Sequence, residues 1–141
     1  MAIVTRETDY ALRALACLRG ADERLPVSAI AERTEVPESF LRKIMQTLHR
    51  SGMVESAQGP FGGYALAVNA DETSVLDVLE AVQGPLVMNE CFVSEDICSR
   101  VCRCGLRERL AALQEELNER LDEMKLGTAF GEIEGTTKVS G

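Results

Sequence analysis

Apolar residues recur at helical spacing in three segments near the start of the chain. The first segment runs from Thr5, which suits an N-cap, to Leu18. The second is short and follows Pro26, and the third repeats apolar residues over 41–48 and ends at Gly52. A tight turn joins the second and third segments, so the pattern predicts three helices that include a helix-turn-helix.

The spacing then changes from helical to extended. Residues 53–57 and 64–67 predict two short strands, and the glycine-rich segment 58–63 between them predicts the tip of a hairpin. A hairpin that directly follows a helix-turn-helix is a wing. The expected fold class is therefore mainly α with a small β-hairpin wing, that is, a winged helix-turn-helix followed by a long C-terminal helix.

Two more helices are predicted after the wing. Ser74 and Asp77 form a capping box that begins a helix through about residue 82, and Gly84 with Pro85 ends it. Further on, apolar residues recur in steps of three and four along one seam: Leu106, Leu110, Leu113, Leu117, Leu121 and Met124. A helix with one apolar seam needs a partner, and a second copy of the chain is the simplest one. We therefore expect a homodimer.

Composition places the chain among ordinary single-domain proteins. Its 141 residues are 45% hydrophobic and 27% charged. The sequence contains neither an apolar run of about 20 residues, as a membrane helix requires, nor a secretory signal pattern. We therefore expect a cytoplasmic protein with no membrane partner.

The charge is divided unevenly along the chain. A net charge of −8 would by itself disfavour binding to nucleic acid, because phosphate contacts need Lys and Arg. Residues 1–66, however, contain eight Lys and Arg against eight Asp and Glu, whereas residues 67–141 contain seven against fifteen. The excess of negative charge lies in the second half, so the first half can present a local basic surface.

The third predicted helix turns its apolar positions inward and leaves a polar face outside. That face carries cationic and hydrogen-bonding groups of the kind that contact phosphates and base edges in a major groove. The adjacent turn and wing favour DNA binding over a merely solvated helix face. The candidate DNA-binding residues are Glu38, Ser39, Arg42, Lys43, Gln46 and Arg50, with Gln58 at the wing tip. Because Gln58 is uncharged, we do not expect it to insert into a minor groove as Arg does.

Catalytic motifs are weak in this sequence. His49 is the only histidine, and no Ser or Cys is evidently paired with a base. The glycines of 59–63 precede a strand and lack a following Lys-Ser/Thr pair, so they do not form a P-loop. We therefore do not expect an enzyme.

Four of the five cysteines fall within one fourteen-residue stretch: Cys91, Cys98, Cys102 and Cys104. Thiols stay reduced in the cytoplasm, so such clustering indicates metal or redox chemistry more than disulfides. Thiolates on one loop can hold an iron–sulfur cluster or zinc. Paired Cys-x-x-Cys motifs typical of zinc sites are absent, which favours a cluster; a 4Fe–4S cluster is the first expectation and a 2Fe–2S cluster the second.

Several segments together resemble the Rrf2 family of winged-helix regulators, which has IscR-type and NsrR-type subgroups. They are TDYALRAL at 8–15, IAER at 30–33, FL at 40–41, GPFGGY at 59–64 and the cysteine loop before the long helix. The resemblance covers residues 1 to about 127. It implies a homodimeric transcription regulator whose cluster is bound by three cysteines of one subunit and by a fourth ligand that differs among subgroups.

By this resemblance the three cysteine ligands are Cys91, Cys98 and Cys104. The IscR-type subgroup uses a His three residues after the last cysteine, where this chain has Arg107. The NsrR-type subgroup uses an Asp on the first helix of the other subunit, and Asp9 matches that position. Cys102 is additional to the family pattern and is the alternative fourth ligand.

The leading hypothesis is a DNA-binding transcription regulator that senses iron, redox state or nitric oxide through a cluster. The alternative is a cluster-free regulator whose cysteines form a thiol switch or bind zinc. A small iron–sulfur electron carrier is less well supported, because it has no use for a helix-turn-helix and a wing. The expected divisions are 1–83 for DNA binding, 84–105 for the cysteine loop, 106–127 for the dimerisation helix and 128–141 for a flexible tail.

Overall fold

The computed structural model describes residues 2–89, 92 and 104–130. Their secondary structure is mainly helical, with one antiparallel hairpin, which confirms the expected fold class. The helices are α1 (Arg6–Arg19), α2 (Val27–Thr34), α3 (Glu38–Arg50), α4 (Val75–Gln83), α5 (Gly105–Glu123) and α6 (Leu126–Ala129), and the strands are β1 (Val54–Ala57) and β2 (Gly63–Leu66). Within the described part of the chain, no helix is both long and apolar enough to cross a membrane.

The main core lies between the first three helices. Helix α1 contributes Leu15 and Leu18 to it, and α2 contributes Ile30. Helix α3 contributes four apolar residues that share one face of the helix, Leu41, Ile44, Met45 and Leu48. Helix α1 begins at Thr5, whose hydroxyl accepts a hydrogen bond from the Thr8 amide, as the sequence predicts. Burial of these stripes fixes how each helix is rotated about its own axis.

Three residues form the turn between α2 and α3. Glu35 ends α2 in the left-handed conformation with φ of 58°. Val36 is buried in the core, and Pro37 begins α3 at its N-cap. The turn of the helix-turn-helix is therefore held by an apolar side chain as well as by backbone geometry.

The end of α3 leads directly into the wing. Gly52, with φ of 82°, follows the C-cap residue Ser51. The amide of Gly52 donates to His49 O at 3.1 Å, and that of Met53 donates to Leu48 O at 3.0 Å, which is the pattern of a Schellman motif. The chain thus turns into β1 by a tightly bonded path.

The hairpin is anchored to the helical core through one backbone bridge. Strands β1 and β2 pair in antiparallel register, with Val54 opposite Leu66. Leu25 and Tyr64 exchange both backbone hydrogen bonds, at 2.9 and 2.8 Å. A Cβ at Gly63 would lie about 2.5 Å from the carbonyl of Leu25, so this close approach requires glycine.

Helix α4 is the element on which the second half of the chain docks. Its capping box is confirmed: the Ser74 hydroxyl accepts from the Asp77 amide at 3.0 Å, and the Asp77 carboxylate accepts from the Ser74 amide at 2.9 Å. The end of α5 returns to this point, where Val75 N donates to Met124 O at 2.8 Å and Leu126 N donates to Thr73 O at 2.9 Å.

The prediction of one helix through residue 127 is wrong at its end. Met124 leaves the helical conformation because its carbonyl bonds to the start of α4, and a separate short helix, α6, follows. Leu126 is buried and Phe130 packs against the main core, so order extends past the expected start of the tail at 128. Residues 131–141 lie outside the described residues.

A buried polar contact ties the beginning of α1 to the end of α4. The Gln83 side-chain carbonyl accepts hydrogen bonds from the Thr8 hydroxyl at 2.6 Å and from the Thr5 amide at 3.1 Å. The Gln83 amide group donates to Ile3 O at 2.8 Å. Because Thr8 is fully buried, water does not compensate for loss of these bonds.

We expect Thr8→Val to lower the free energy of unfolding by about 1 to 2 kcal/mol, because it removes a buried hydrogen bond without changing side-chain volume. Thr47→Val is the matched control: Thr47 is half-buried on α3 and its hydroxyl bonds only locally, so the change should stay within about 0.5 kcal/mol. Urea denaturation measures both. Equal losses in the two variants would contradict a special role for the Thr8–Gln83 contact.

Candidate nucleic-acid interface and cysteine loop

The outer face of α3 carries the side chains that the sequence nominates for DNA binding. Ser39, Arg42, Lys43, Gln46 and Arg50 are exposed, and Glu38 is half-exposed. They lie opposite the four buried apolar residues, so the packing of the core alone directs this polar stripe outward.

The cations of this stripe differ in whether a carboxylate already neutralises them. The Arg42 guanidinium contacts the Glu38 carboxylate at 2.7 Å, and Arg50 bonds to the Thr47 hydroxyl at 3.3 Å. Lys43 has no ion pair with any residue that the structure describes. Among the described residues, the Lys43 ammonium and the Arg50 guanidinium are therefore the cations of this stripe that no carboxylate neutralises.

The wing presents an uncharged tip. Residues 57–63 contain no ionisable side chain, and Gln58 is exposed among them. Arg24, which lines a groove together with residues of the tip, pairs with Glu55 at 2.7 Å. What the tip offers to solvent is the ring of Phe61, which is 92% exposed.

The sequence pattern did not single out Phe61 as a functional residue. The sequence nevertheless contained a signal for it, because an aromatic residue in the glycine-rich tip of a hairpin is too far from the core to be buried there. Phe40, on the flank of α3, is also exposed although it is apolar. In the sequence, Phe40 directly follows Ser39 of the polar stripe, and Phe61 lies three residues after Gln58.

Of the candidate cluster ligands on the loop, only Cys104 is among the described residues. It occupies the N-cap of α5, is half-buried and is a free thiol. Cys91, Cys98 and Cys102 lie outside the described residues. The described part of the chain, to which these three cysteines do not belong, contains no group of three or more metal-binding side chains.

The first turn of α5 holds a cation beside Cys104. The Arg107 guanidinium lies over the Phe92 ring, 5.6 Å from its centroid. Its Nε is buried and has no acceptor among the described residues. The guanidinium plane of Arg107 therefore contacts the Phe92 ring, and its Nε–H remains as a donor for an anionic neighbour.

Asp9 lies in the first turn of α1 and already has a local partner. Its carboxylate contacts the Arg13 guanidinium one turn later at 3.0 Å, with both side chains about half exposed. A carboxylate also interacts favourably with the positive end of a helix. These contacts are weak enough for Asp9 to exchange them for another cation.

Cys17 is separate from the cysteine loop and lies on α1 next to the main core. Burial raises the pKa of the Cys17 thiol, and the neighbouring Arg33 guanidinium opposes the rise only in part. The thiol is therefore protonated at neutral pH and is a poor nucleophile or metal ligand.

Both ends of the cysteine loop are fastened to the helical core. Its beginning follows Gln83, which grips the start of α1, and the amide of Met88 donates to the Gln114 side chain in the middle of α5 at 2.7 Å. Its far end is Cys104 at the start of α5, whose other end bonds to α4. The loop therefore connects the end of α4 to the start of α5 and is also bonded to the middle of α5.

Comparison with known proteins identifies relatives that match most of the chain. A family model named Rrf2, described as an iron-dependent transcriptional regulator, matches residues 4–131. Protein aau3 of Rhizobium meliloti is 38% identical over 117 residues, which cover 82% of this chain and 74% of that protein. The regulator IscR of Aliivibrio salmonicida is 29% identical over 132 residues, which cover 92% of this chain and 76% of IscR.

A solved structure shares the same architecture. CymR, the global cysteine regulator of B. subtilis, matches with a TM-score of 0.71 at 23% identity, over 90% of this chain and 95% of CymR. This likeness supports the fold that the helices and the hairpin define.

We expect Lys43→Gln to weaken binding to duplex DNA and to make log affinity less dependent on log salt, with the slope falling by about 1 for each phosphate that the lysine neutralises. Arg42→Gln should have a smaller effect, because Glu38 already neutralises that guanidinium. Fluorescence anisotropy over a series of salt concentrations measures both quantities.

Arg120→Gln, which removes a cation from the acidic helix α5, is the control for this prediction and should leave the salt slope unchanged. If Lys43→Gln and Arg120→Gln behave alike, the outer face of α3 does not bind the DNA.

Proposed function

The chain belongs to the Rrf2 family of transcriptional regulators, and we propose that α3 and the wing bind a double-stranded DNA operator under the control of an iron–sulfur cluster on the cysteine loop. The observation that carries the DNA half of this proposal is the outward stripe of α3. In a helix-turn-helix this face enters the major groove, where Arg, Lys and Gln meet phosphates and base edges.

The described residues at the start of α5 fit an anionic group bound by the loop. Cys104 provides a sulfur ligand at the N-cap of α5, and the positive end of a helix favours a bound anion. The buried Nε of Arg107, which has no acceptor among the described residues, provides a donor on the same turn. With Cys91, Cys98 and the alternative ligand Cys102 on the same loop, the donor set is rich in soft thiolates, as iron–sulfur clusters require.

The fourth ligand is assigned to Asp9 of the partner subunit. Arg107 stands where IscR-type relatives place a histidine, and its guanidinium cannot bind a metal. The Asp9 carboxylate is about half exposed on the first turn of α1, so a second subunit can reach it. An oxygen ligand binds iron less strongly than a thiolate does, so this corner is the one most open to exchange.

When bound, the cluster would supply redox and nitric oxide chemistry that protein side chains lack. The chain's own residues transmit the change: the loop begins at α4 and ends at α5, and both helices meet again at the bonds of Val75 and Leu126. Helix α4 packs on α1 and α3. A shift at the loop therefore reaches α3 through direct packing.

The homodimer is proposed to form on an apolar surface that the single chain leaves open. Leu106 and Leu113 are 63% and 50% exposed on α5, whereas Leu117 and Leu121 pack on α4 of the same chain. Beside them, a groove of about 450 Å³ is lined by apolar side chains that include Ile3, Leu86, Val87, Met88 and Leu117. A second copy would cover this surface and place two recognition helices about 34 Å apart, one DNA turn.

The proposed division of labour assigns residues 1–83 to DNA binding, 84–105 to the cluster and 106–127 to dimerisation. The alternative is a cluster-free regulator in which the loop cysteines form a thiol switch or bind zinc. Iron, sulfide and zinc analysis after anaerobic purification, together with a visible absorption spectrum, separates these hypotheses. Zinc, or neither metal, in a protein that binds DNA would favour the alternative.

We expect Leu113→Glu to convert the dimer to a monomer, because it places a charge on the open part of the α5 seam. Leu113 makes no contribution to the buried core of the chain, so the melting temperature of the monomer should fall little. Sedimentation equilibrium measures the mass. Ala112→Glu, which adds the same charge to the exposed flank of the helix, should remain dimeric, and a dimer in both variants would place the interface elsewhere.

We expect Asp9→Ala to lower the iron and sulfide bound on anaerobic reconstitution and to change the visible spectrum, whereas Cys102→Ala retains the wild-type content. Glu7→Ala is the control, since Glu7 is an exposed carboxylate in the same helical turn. An intact cluster in Asp9→Ala together with no cluster in Cys102→Ala would assign the fourth ligand to Cys102.

A further inference from the structure

The ring of Phe61 is the most exposed large apolar side chain among the described residues. It is 92% exposed at the wing tip, whereas Phe92 and Phe130 are half-buried. A single exposed apolar residue is ordinary on a protein surface and needs no explanation by itself. Phe61, however, differs from an ordinary exposed residue in its position at the tip of the wing.

The tip that carries Phe61 is held in one conformation by its backbone. Gly59 has φ of 103°, and its carbonyl accepts a hydrogen bond from the Gly62 amide at 3.0 Å. A Cβ at Gly62 would collide with the carbonyl of Ala57 and lie 2.8 Å from the carbonyl carbon of Gln58. The tight turn therefore admits only glycine there, and Phe61 stands on a rigid support.

The base of the hairpin is equally fixed. The two backbone bonds between Leu25 and Tyr64 attach β2 to the segment before α2, and Gly63 permits the close approach. At the other end, the Schellman motif at Gly52 joins β1 to α3. The position of the tip is therefore set relative to the recognition helix.

The reach of the hairpin matches the spacing of DNA grooves. Four residues of β1 span about 14 Å at the usual rise of a strand, and the tip adds a few ångströms. Adjacent major and minor grooves lie about 17 Å apart along the axis, half of a 34 Å turn. With α3 in the major groove, a hairpin of this length is long enough for its tip to reach the flanking minor groove.

Residues 57–63 at the tip contain no ionisable side chain, and the Arg24 guanidinium that lines the groove beside them is already paired with Glu55. Proteins that enter a minor groove with an apolar side chain instead insert it between base pairs, partly unstack them and kink the duplex. We propose that Phe61 is such a wedge: its ring enters the minor groove beside the site of α3 and kinks the DNA at one base step in each half-site. This rests on the proposed DNA binding by α3.

The probe is a duplex selected by the wild-type protein from a random-sequence pool, tested with both cluster-loaded and metal-free protein. 2-Aminopurine replaces successive adenines, since its fluorescence rises on unstacking, and dyes at the two ends report bending by energy transfer. The wild-type protein should raise the fluorescence at one step in each half-site and bring the ends closer.

Phe61→Ala should abolish both signals and weaken binding by at least about fivefold, since stacking of a base on an aromatic ring is of that order. Phe61→Leu, which keeps an apolar side chain, should retain part of the kink. Ser56→Ala, an exposed position on β1 of the same wing, should keep the wild-type signals. The exposure of Phe61 predicts an unchanged melting temperature for its variants, which excludes unfolding as the cause.

Two results would overturn the wedge alone: a wild-type complex with neither unstacking nor a bend, or a Phe61→Ala complex with the same bend and fluorescence as wild type. In the first case a loss of affinity in Phe61→Ala would show that the ring touches the sugars without inserting. Failure of the wild-type protein to select any duplex would overturn the proposed DNA binding and the wedge with it.

Discussion

The packing of the α3 apolar stripe is the constraint on which the other features of this protein depend. Leu41, Ile44, Met45 and Leu48 are all buried, and each truncation to alanine in such a core costs about 2 to 5 kcal/mol. Rotation of α3 would expose these side chains, so its outer face has only one direction to point. That burial fixes the positions of three further features: the polar stripe, the start of the wing and the wing tip.

Helix α4 is the second fixed point, because three separate parts of the chain converge on it. The end of α4 binds the start of α1 through the Gln83 side chain. At its beginning, Val75 N donates a hydrogen bond to Met124 O at the end of α5. Its inner face contributes Val78 to the main core. The cysteine loop begins where α4 ends. In the proposed control by the loop, a change at the end of α4 would reach α1 through the Gln83 side chain and α3 through direct packing.

The sequence was most informative where local rules determine structure. Thr5, Ser74 and Asp77 predicted helix starts because a capping hydrogen bond involves only neighbouring residues, and the α3 stripe predicted a buried face because period alone decides it. The sequence did not predict α6, the Leu25–Tyr64 bridge or the grip of Gln83 on Thr8, since each depends on residues far apart in the chain. The assignment of candidate ligands came from family resemblance, and the local partners of Asp9 and Arg107 appeared only in the structure.

The charge balance bears on how the proposed dimer would be controlled. Residues 1–66 carry equal numbers of basic and acidic side chains, and Arg13, Arg24 and Arg42 are already in ion pairs, so one DNA-binding half has little general attraction for phosphate. Non-specific affinity grows steeply with the number of phosphates neutralised. A protein with few such contacts needs both half-sites engaged at the same time, and this requires two α3 helices in register with one DNA turn. In the proposed dimer, a small change in the angle between the two α5 helices would disengage one half-site, and the affinity for DNA would fall far more than the size of the movement suggests.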